Sequence, residues 1–580
     1  MKTLSENPND WPQSNPQTVS THDAGALNAN VGARLSVQAA IAPDAIAIAS
    51  PRGSHRQRDH RSYDTITMAE LERRSASIAA GLQGMGIGPG KRIALLVRFG
   101  EDFIALVFAV LKSGATLVLI DPGMGRKNLI ECLAATRPDG FIAIPMAHAI
   151  LRFFQSRFPS AKLNVTAGRW FPGLPSATLS HLEKQSPNGL RLPVSKRDDP
   201  AAIIFTTGST GPPKGVLYTH GTFNAQIDQV AGHYGIQPGG RDLSCFPLFG
   251  LFNAVMGTTT ILPDMNPIRP ADVDPVRLLD AIDQWQINQS FGSPALWTKV
   301  GGFCAKSGRR VESLQRVLSA GAPVPPRVLE QVRNAMHVDG SMYTPYGATE
   351  ALPIASIESR SVLQETAFKT RQGAGTCVGS KFSGIRWRVI AIDDKPIKNI
   401  DDSKEMPLGE IGELMVCGSV VSKQYVTRED QNAIHKVREG ADVWHRMGDV
   451  GYLDEQHRFW FCGRKSHRII SGSRVLFTES IEAIANSHPD VYRSALIGTG
   501  DRFSQSPMVI LEPWSKQTHD RKLNDAQLSQ AVVERLQENP RSNAVKRVVV
   551  YPSKLPTDIR HNSKIFREKL TEWANKKYPG

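Results

Sequence analysis

The chain has 580 residues, too many for one ordinary hydrophobic core, so we expect at least two domains. Apolar residues make up 41% and charged residues 21%, which is typical of a soluble globular protein. The formal net charge is +14, but neither zinc-finger spacing nor an RNP-type aromatic motif accompanies it, so we predict no nucleic-acid partner.

Membrane, secretory and zinc-binding classes are also disfavoured. The longest unbroken apolar run, residues 103–111, has nine residues, well short of the roughly 20 that a transmembrane segment needs. Residues 1–33 read as a polar N-terminal tail, and they lack the apolar stretch of a secretory signal. The six cysteines are scattered without a CxxC pair, so we predict reduced thiols in a cytoplasmic protein.

Strand-like and helix-like segments alternate from residue 91 onward. Segments 101–112 and 128–135 fit helices, and Gly114 is a stop signal for the first. Buried strands are predicted at 93–97, 115–120, 140–144, 201–206, 257–262 and 317–319. Such alternation is typical of mostly parallel sheets covered by helices, so we predict an α/β fold for a large N-terminal domain at 34–463.

The pattern changes in the last third of the chain. Short strand-like runs at 412–417, 451–453 and 458–462 predict a small antiparallel section. A fresh set of helices and strands begins after Arg464. We therefore place a domain boundary at 463–465 and predict a small, mobile α+β C-terminal domain at 464–580.

A loop rich in glycine and hydroxyl groups directly follows the predicted strand 201–206. Glycines let the backbone approach a ligand and turn successive N–H groups toward it. Lys214 adds a positive charge, and because Gly215 follows it, the loop is not a Walker A motif. We predict a polyphosphate site formed by Thr206, Thr207, Gly208, Ser209, Thr210, Gly211 and Lys214.

This loop, TTGSTGPPKGV, resembles the signature loop of the adenylate-forming superfamily, which includes acyl-CoA synthetases and luciferases. The other motifs of the superfamily follow it in order. The resemblance implies an AMP-forming ligase that uses ATP and Mg²⁺. Its adenine-contacting turn falls on SAGAP, which contains Gly321, Ala322 and Pro323.

The YGATE segment, residues 346–350, resembles the next motif of the superfamily. There an aromatic ring lies against adenine, a threonine hydroxyl meets the α-phosphate and a glutamate supports Mg²⁺. These roles fall on Tyr346, Thr349 and Glu350, with Gly347 and Ala348 between them. A carboxylate is a hard oxygen ligand that suits Mg²⁺ shared with phosphates.

Three later positions complete the implied site. Asp449 of GDVG matches the carboxylate that binds both ribose hydroxyls, a task that suits its two acceptor oxygens. Arg464 of GRK matches an arginine that touches the nucleotide, and the next residue is the pivot of the C-terminal domain. Lys564 occupies the place of the lysine that reaches the α-phosphate and the carboxylate during adenylation. The implied catalytic residues are Lys564, Glu350 and Thr349.

Within the superfamily, the chain resembles the β-lactone synthetases of the bacterial long-chain olefin pathway. The segments GSPAL, GAGTCVG and HRMGDVGY carry this likeness. Gly250 and Ser563 stand where acyl-CoA ligases usually have His and Gly. The resemblance implies a long-chain β-hydroxy acid, a 2-alkyl-3-hydroxyalkanoic acid, whose hydroxyl attacks its own acyl-adenylate. It also implies two partner enzymes, a β-lactone decarboxylase and an NADPH-dependent reductase.

Two alternatives stay open: an acyl-CoA ligase that forms a thioester, and a nucleotide- or lipid-binding scaffold without activity. The base for the hydroxyl proton is not assigned, and the candidates by residue type are His445, His467 and His561. Candidates for the acyl pocket are Phe249, Phe252, Asn253 and Phe291.

Overall fold

The computed structural model describes residues 28–53, 61–206, 212–246, 250–514, 523–557 and 564–578. Two large, mostly parallel sheets and one antiparallel sheet precede Lys465, and smaller sheets follow it. The predicted α/β class is confirmed. No helix in the described ranges is long and apolar enough to cross a membrane.

The first large sheet has nine strands. Six neighbouring strands at its centre run parallel, and antiparallel strands flank them on both sides. The strands in spatial order are Ser380–Lys381, Ala351–Glu358, Ser341–Ala348, Arg316–Ser319, Gln289–Gly292, Arg241–Ser244, Thr259–Ile261, Ile46–Pro51 and Tyr63–Thr67.

The second large sheet has six strands, five of them parallel, and its last strand turns back as an antiparallel edge. Its spatial order is Val165–Thr166, Gly140–Ala143, Arg92–Leu96, Thr116–Leu119, Pro200–Phe205 and Gly215–Thr219. Four of these strands were predicted from apolar runs in the sequence. Their predicted bounds differ from the observed bounds by no more than two residues at each end.

The antiparallel sheet is larger than predicted, because it includes strands before residue 412 and its central strand is twelve residues long. Its strands are Thr376–Cys377, Phe459–Arg464, Asp442–Leu453, Gly412–Cys417 and Arg386–Ile390, with Lys436–Glu439 paired to the central strand. The C-terminal elements form a hairpin of Ile469–Ser471 and Arg474–Leu476 and a sheet of Val491–Thr499, Ser506–Pro513 and Arg547–Val550.

Helices cover the faces of these sheets. Those of the described ranges are Ala33–Ile41, Met68–Gly84, Glu101–Ser113, Arg126–Ala135, Pro145–Phe153, Leu179–Leu182, His220–Tyr234, Pro275–Trp285, Pro294–Ser307, Pro326–Ala335, Ser359–Ser361, Ala367–Arg371, Asp430–His435, Thr478–Asn486, Asp525–Gln537 and Arg567–Lys577. A π-helix spans Val362–Thr366.

The helix Glu101–Ser113 shows how sequence sets these elements. Every residue from 103 to 113 is buried. Two acidic residues lie in the first turn of the helix, where their negative charge interacts favourably with the helix dipole. Gly114 ends the helix in a left-handed conformation with φ +85°, and a Cβ there would lie 2.7 Å from Pro193. The stop predicted at Gly114 is confirmed, because only glycine fits both the angle and the space.

The C-terminal elements have their own hydrophobic core and contact the antiparallel sheet region. Thr376 donates a hydrogen bond to Glu479 (2.9 Å), and Arg541 donates to the Gly373 carbonyl (2.7 Å). Their core includes Ile481, Ile484, Val509, Leu511, Leu528 and Val532. The boundary at 463–465 and the mobility of this domain stay predictions.

Packing at the N-terminal side begins before residue 34. The Asn30 side chain is buried and donates to the Leu111 carbonyl (2.8 Å), at the end of the helix Glu101–Ser113. The Ala29 amide donates to the Ser195 carbonyl (2.8 Å). Residues 28–33 of the predicted tail are therefore tied to the core, and residues 1–27 lie outside the described ranges.

Candidate active site

The predicted phosphate loop connects two antiparallel neighbours, the strand Pro200–Phe205 and the edge strand Gly215–Thr219. The Thr206 amide donates to the Lys214 carbonyl (3.0 Å), and the Lys214 amide donates to Thr206 Oγ1 (3.1 Å). These bonds close the base of the loop. Thr207, Gly208, Ser209, Thr210 and Gly211 lie outside the described residues, so their phosphate contacts stay a prediction.

The exit of the loop is fastened to a segment from the antiparallel region. The Gly215 amide donates to Thr427 Oγ1 (2.7 Å), and Val216 forms an isolated bridge with Tyr425. A Cβ on Gly215 would lie 2.9 Å from Thr427 Oγ1, so glycine permits this close approach. Tyr425 is thereby placed beside the loop.

Lys214 lies in a group of aromatic and basic side chains. Its Nζ is 3.3 Å from His435 Nε2 and 4.9 Å from the centroid of the Tyr425 ring. Burial lowers the pKa of Lys214, and the charge of Glu350 opposes that shift. The lysine is therefore desolvated and held where a polyanion would restore its lost electrostatic stabilisation.

Glu350 is the carboxylate at the centre of this group. Its buried Oε1 accepts a hydrogen bond from the Tyr425 hydroxyl (2.7 Å), and its carbonyl accepts from the Ser422 amide (2.8 Å). Lys436 lies 5.2 Å from the Tyr425 ring centroid, and burial lowers the pKa of Lys436 to about 7. Positive groups thus outnumber the one carboxylate here.

This donor set fits a magnesium ion that is shared with a nucleotide. Among the described residues, no cluster of three or more His, Cys, Asp or Glu could hold a metal alone. Mg²⁺ in nucleotide enzymes is bound by one or two carboxylates plus substrate phosphates. Glu350 therefore suits a metal only together with phosphate oxygens that the loop beside it would hold.

A tight hairpin carries the residues between Tyr346 and Glu350. A Cβ on Gly347 would lie 2.7 Å from the Ala351 carbonyl oxygen, and Ala348 pairs with Ala351. The Tyr218 hydroxyl donates to the Thr349 carbonyl (2.6 Å). Glycine permits the close turn, and this hydrogen bond fixes the backbone from which Thr349 and Glu350 project.

Asp449 and Arg464 face each other on neighbouring antiparallel strands. Asp449 is buried, and its Oδ2 accepts a hydrogen bond from the Tyr346 hydroxyl. Burial raises the pKa of Asp449, while the Arg464 charge lowers it. Arg464 also donates to the Met447 carbonyl (3.2 Å). Three residues from separate predicted motifs are therefore in direct contact.

The second oxygen of Asp449 is available to a ligand. Arg464 Nη1 lies 3.0 Å from Oδ1, but Oδ1 is buried and accepts no hydrogen bond from any residue in the described ranges. An unsatisfied buried carboxylate oxygen is costly unless a donor completes it. A ribose hydroxyl is such a donor, so the arrangement fits a nucleoside beside Tyr346.

The adenine turn lies one strand away from Tyr346. Gly321, Ala322 and Pro323 follow the strand Arg316–Ser319, which runs parallel to Ser341–Ala348. Both strands thus end at the same edge of the sheet, where ligands of parallel sheets bind. Gly321 has φ +99°, which favours glycine. The contact of these residues with adenine stays a prediction.

Lys564 lies on the C-terminal elements, next to a bridge between Thr557 and Ile565. Arg567 pairs with Glu482 (2.6 Å). Burial lowers the pKa of His467 to about 3, with further lowering from the charges of Arg567 and Arg464. The charges of Arg567 and Arg464 therefore both act on His467, and the reach of Lys564 to a nucleotide stays a prediction.

Three residues of this site were not anticipated: Tyr425, His435 and Lys436. Tyr425 is buried and touches both Lys214 and Glu350, yet it lies in no recognised motif. His435 ends a short helix, and Lys436 begins the next strand. No local spacing signals them, because their proximity to the loop arises only from the pairing of distant segments.

The remaining candidates divide into buried and undescribed residues. His445 is buried, and its Nδ1 has no hydrogen-bond partner among the residues that the structure describes. Asn253 donates to Asp242 Oδ2 (2.8 Å) inside the core, so its amide is engaged away from any acyl chain. Phe252 packs near Phe108 and Phe223, and buried Phe291 packs near Phe246. Phe249 and His561 lie outside the described residues.

Gly250 stands at the position of the expected histidine. A Cβ there would lie 2.4 Å from Ser244 Oγ, well inside contact distance. Ser244 is itself buried and held by Asp242 and Asn253. A larger side chain at position 250 therefore requires Ser244 or the segment around residue 250 to shift.

The chain was compared with known proteins. The profile of the AMP-binding enzyme family matches residues 35–426. Olefin beta-lactone synthetase from Stenotrophomonas maltophilia is 42% identical over 553 residues, which cover 94% of this chain and 98% of that protein. The enzyme of the same name from Xanthomonas campestris is 40% identical over 552 residues, covering 94% and 97%.

Solved structures agree on the fold. ATP-bound MatB from Rhodopseudomonas palustris superposes with a TM-score of 0.75 at 20% identity, covering 95% of this chain and 100% of that one. The O-succinylbenzoate coenzyme A synthetase of Bacillus subtilis, with ATP and magnesium, gives 0.70 at 20% identity, covering 93% and 98%. The family profile matches residues 35–426, and residues of separate sequence motifs are in contact in the structure. The chain therefore belongs to the AMP-binding enzyme family, as an adenylate-forming ligase similar to olefin β-lactone synthetases.

Proposed function

We propose that this ligase activates a 2-alkyl-3-hydroxy fatty acid as its acyl-adenylate and then closes it to a β-lactone. The observation that carries the proposal is the 40–42% identity to olefin β-lactone synthetases over 94% of the chain. The contacts among Lys214, Tyr425 and Glu350 support the first step. AMP and pyrophosphate are the other products.

In the adenylation step, a carboxylate oxygen of the acid attacks the α-phosphorus of ATP. The bond between that phosphorus and the oxygen bridging to the β-phosphate breaks, and pyrophosphate leaves. Residues 206–211 and Lys214 bind the phosphates, while Asp449 and Tyr346 position the nucleoside. Glu350 would hold a Mg²⁺ ion together with the phosphates, and that ion would supply neutralisation of phosphate charge. Lys564 stabilises the charge that develops at the α-phosphate, which is the usual source of such acceleration.

In the second step, the β-hydroxyl oxygen attacks the acyl carbon and AMP leaves with the electron pair of the anhydride bond. The hydroxyl proton passes to water, so the products of this step are the lactone, AMP and one proton. Because nucleophile and target are in one molecule, the encounter gains a large effective concentration. The enzyme needs to bend the chain and exclude water, and no thiol co-substrate is required.

Position 250 supports a departure from thioester-forming relatives. The usual histidine of those enzymes is replaced by glycine, and a Cβ at this position would lie 2.4 Å from Ser244 Oγ. A side chain here therefore requires Ser244 or the segment around residue 250 to shift, so the glycine matches the packing. An acyl-CoA ligase is the alternative activity that the assay below separates.

The assay supplies the purified protein with ATP, Mg²⁺ and a 2-alkyl-3-hydroxy acid, with and without CoA. We expect AMP and β-lactone in both reactions. The matched acid without the 3-hydroxyl should yield acyl-adenylate and no lactone. Strict dependence on CoA with a thioester product would refute the proposal, and so would the absence of AMP in every reaction.

We also propose that the chain acts in the cytoplasm with two further enzymes. The resemblance to the olefin pathway supports an NADPH-dependent reductase that supplies the hydroxy acid and a β-lactone decarboxylase that consumes the product. A coupled reaction tests this proposal. Adding the decarboxylase should convert the lactone to an alkene and CO₂, and accumulation of unchanged lactone would refute it.

A further inference from the structure

The helix Pro145–Phe153 has one buried and one exposed face. His148 and Leu151 are buried, and His148 Nε2 lies 2.9 Å from the Val165 carbonyl oxygen. On the other face, Met146, Ile150 and Phe153 are 68%, 40% and 87% exposed. Their spacing is that of one helical stripe, so a continuous apolar face points to solvent.

A neighbouring loop extends this face. Trp170 and Phe171 are 45% and 49% exposed. The loop lies against the helix, because Arg152 Nη1 donates to the Gly173 carbonyl (3.4 Å) and a Cβ on Gly168 would lie 3.3 Å from Pro145. We call the exposed side chains the aromatic patch, and they are Met146, Ile150, Phe153, Phe154, Trp170 and Phe171.

The aromatic patch is the main concentration of exposed aromatic side chains in the described chain. Seven Phe or Trp side chains are exposed among the described residues, and four of them belong to the patch. The other three, Phe368, Phe503 and Phe566, are far apart in sequence. Clustered exposed apolar side chains mark interaction surfaces, whereas scattered ones need no explanation.

The surroundings of the patch are basic. Residues 140–182 contain no Asp or Glu, and four cations in that range are exposed: Arg152, Arg157, Lys162 and Arg169. None of the four is in an ion pair with another described residue. The surface thus combines apolar and aromatic side chains with unneutralised positive charge.

We propose that the aromatic patch binds the surface of an anionic lipid bilayer. Trp, Phe and Met can enter the boundary between headgroups and acyl chains, while Arg and Lys remain at the level of the phosphates. The helix is too short to span a bilayer, so it lies in the plane of the interface. The four exposed cations and the lack of Asp and Glu within residues 140–182 favour an anionic surface as the occupant.

One consequence rests on the proposed function. A long-chain hydroxy acid dissolves far better in lipid than in water, so docking would bring the enzyme to its substrate. Binding to lipid itself needs no catalysis. A protein without lactone-forming activity could therefore still bind vesicles, and the two proposals can fail separately.

The test is cosedimentation of the full chain with vesicles of phosphatidylcholine alone or mixed with phosphatidylglycerol. We expect binding to the mixed vesicles that weakens with salt. The double variant Phe153→Ser, Trp170→Ser should bind about tenfold more weakly. Arg157→Glu with Arg169→Glu should remove the preference for anionic vesicles.

The matched control is Phe368→Ser with Phe503→Ser, which removes two aromatics that are 60% and 72% exposed outside the patch. It should bind as the unaltered protein does. Melting temperatures confirm that each variant is folded. Unaltered protein that stays in the supernatant with both vesicle types overturns the proposal. So does equal binding by the patch variant, or an equal loss in the control.

Discussion

Lys214 Nζ lies 3.3 Å from His435 Nε2, and the other ring nitrogen of His435 lies 3.3 Å from the Arg446 carbonyl oxygen. A carbonyl can only accept, so Nδ1 carries the proton and Nε2 is the acceptor for Lys214. Burial, assisted by the charge of Lys214, lowers the pKa of His435 to about 3. The histidine is therefore a neutral, fixed acceptor that positions the lysine.

The first prediction concerns this pair. His435→Phe removes the acceptor and should raise the KM for ATP about tenfold, since one hydrogen bond to a charged group contributes about 1.5 kcal/mol. His435→Gln retains a hydrogen-bond acceptor, so its KM for ATP should be close to that of the unaltered enzyme. The measurement is ATP–pyrophosphate exchange at varied ATP.

A double-variant cycle separates positioning from general damage. If His435 acts through Lys214, then His435→Phe should cause little further increase in the KM for ATP when Lys214 is already replaced by Met. Full additivity of the two effects would show that the histidine matters for another reason.

The second prediction concerns Lys564. Lys564→Ala should slow ATP–pyrophosphate exchange by about 10²–10³, because removing one aligned donor from a developing negative charge has that effect. The control is Lys569→Ala, which removes an exposed lysine of the following helix and should leave the rate unchanged. An unaffected rate in Lys564→Ala would remove the lysine from the adenylation step.

The third prediction tests the ribose contact through substrate discrimination. Asp449 Oδ1 is buried, lies 3.0 Å from Arg464 Nη1 and accepts no hydrogen bond from the described residues, so the enzyme should prefer ATP to 2′-deoxy-ATP by about tenfold or more. Asp449→Ala should raise the KM for ATP and remove most of that preference. Tyr346→Phe deletes only the hydroxyl bonded to Oδ2 and should retain the preference. Discrimination that survives in Asp449→Ala would place the ribose elsewhere.

The fourth prediction concerns pH and stability. Burial raises the pKa of Asp242 to about 6, although hydrogen bonds from Ser244 and Asn253 oppose the shift. Since the folded pKa exceeds the ordinary value, this group stabilises the folded chain most below about pH 4, and the contribution is lost as pH rises through 6. The loss approaches about 3 kcal/mol on a scale of 1.36 kcal/mol per pKa unit.

Asp242→Asn removes this ionisation. The melting temperature of the variant relative to the unaltered protein should therefore rise between about pH 4 and pH 7. Asp44→Asn, at an exposed position, is the control and should show no such trend. Parallel curves for Asp242→Asn and the unaltered protein would contradict the prediction.

Several elements could be predicted because their signals are local. The run 101–112 and the stop at Gly114 needed only burial and a left-handed turn, and the strand Gly412–Cys417 was predicted with its observed bounds. The long strand Asp442–Leu453 was predicted only at its end. Its earlier residues include His445 and Arg446, which are polar although they are buried. They interrupt the apolar pattern by which a buried strand is recognised in a sequence.

Buried charge was the main thing that local patterns could not reveal. Arg446 is buried against Glu413 (2.6 Å), and Lys112 is buried with Glu72 and Ser75. Both pairs join residues far apart in the chain, as do Tyr425 and Glu350 at the candidate site. The sequence motifs identified residues that are expected to bind the same nucleotide. The contacts that support those residues depend on how strands and helices pack, which the motifs do not show.

The most direct test of acyl-adenylate formation uses acid labelled with ¹⁸O in its carboxyl group. Attack of a carboxyl oxygen on the α-phosphorus transfers that oxygen to AMP when the lactone closes. Mass spectrometry should therefore find one ¹⁸O in AMP and one in the lactone carbonyl. Unlabelled AMP, with both labelled oxygens retained in the lactone, would mean that ATP activates the hydroxyl and would contradict the account.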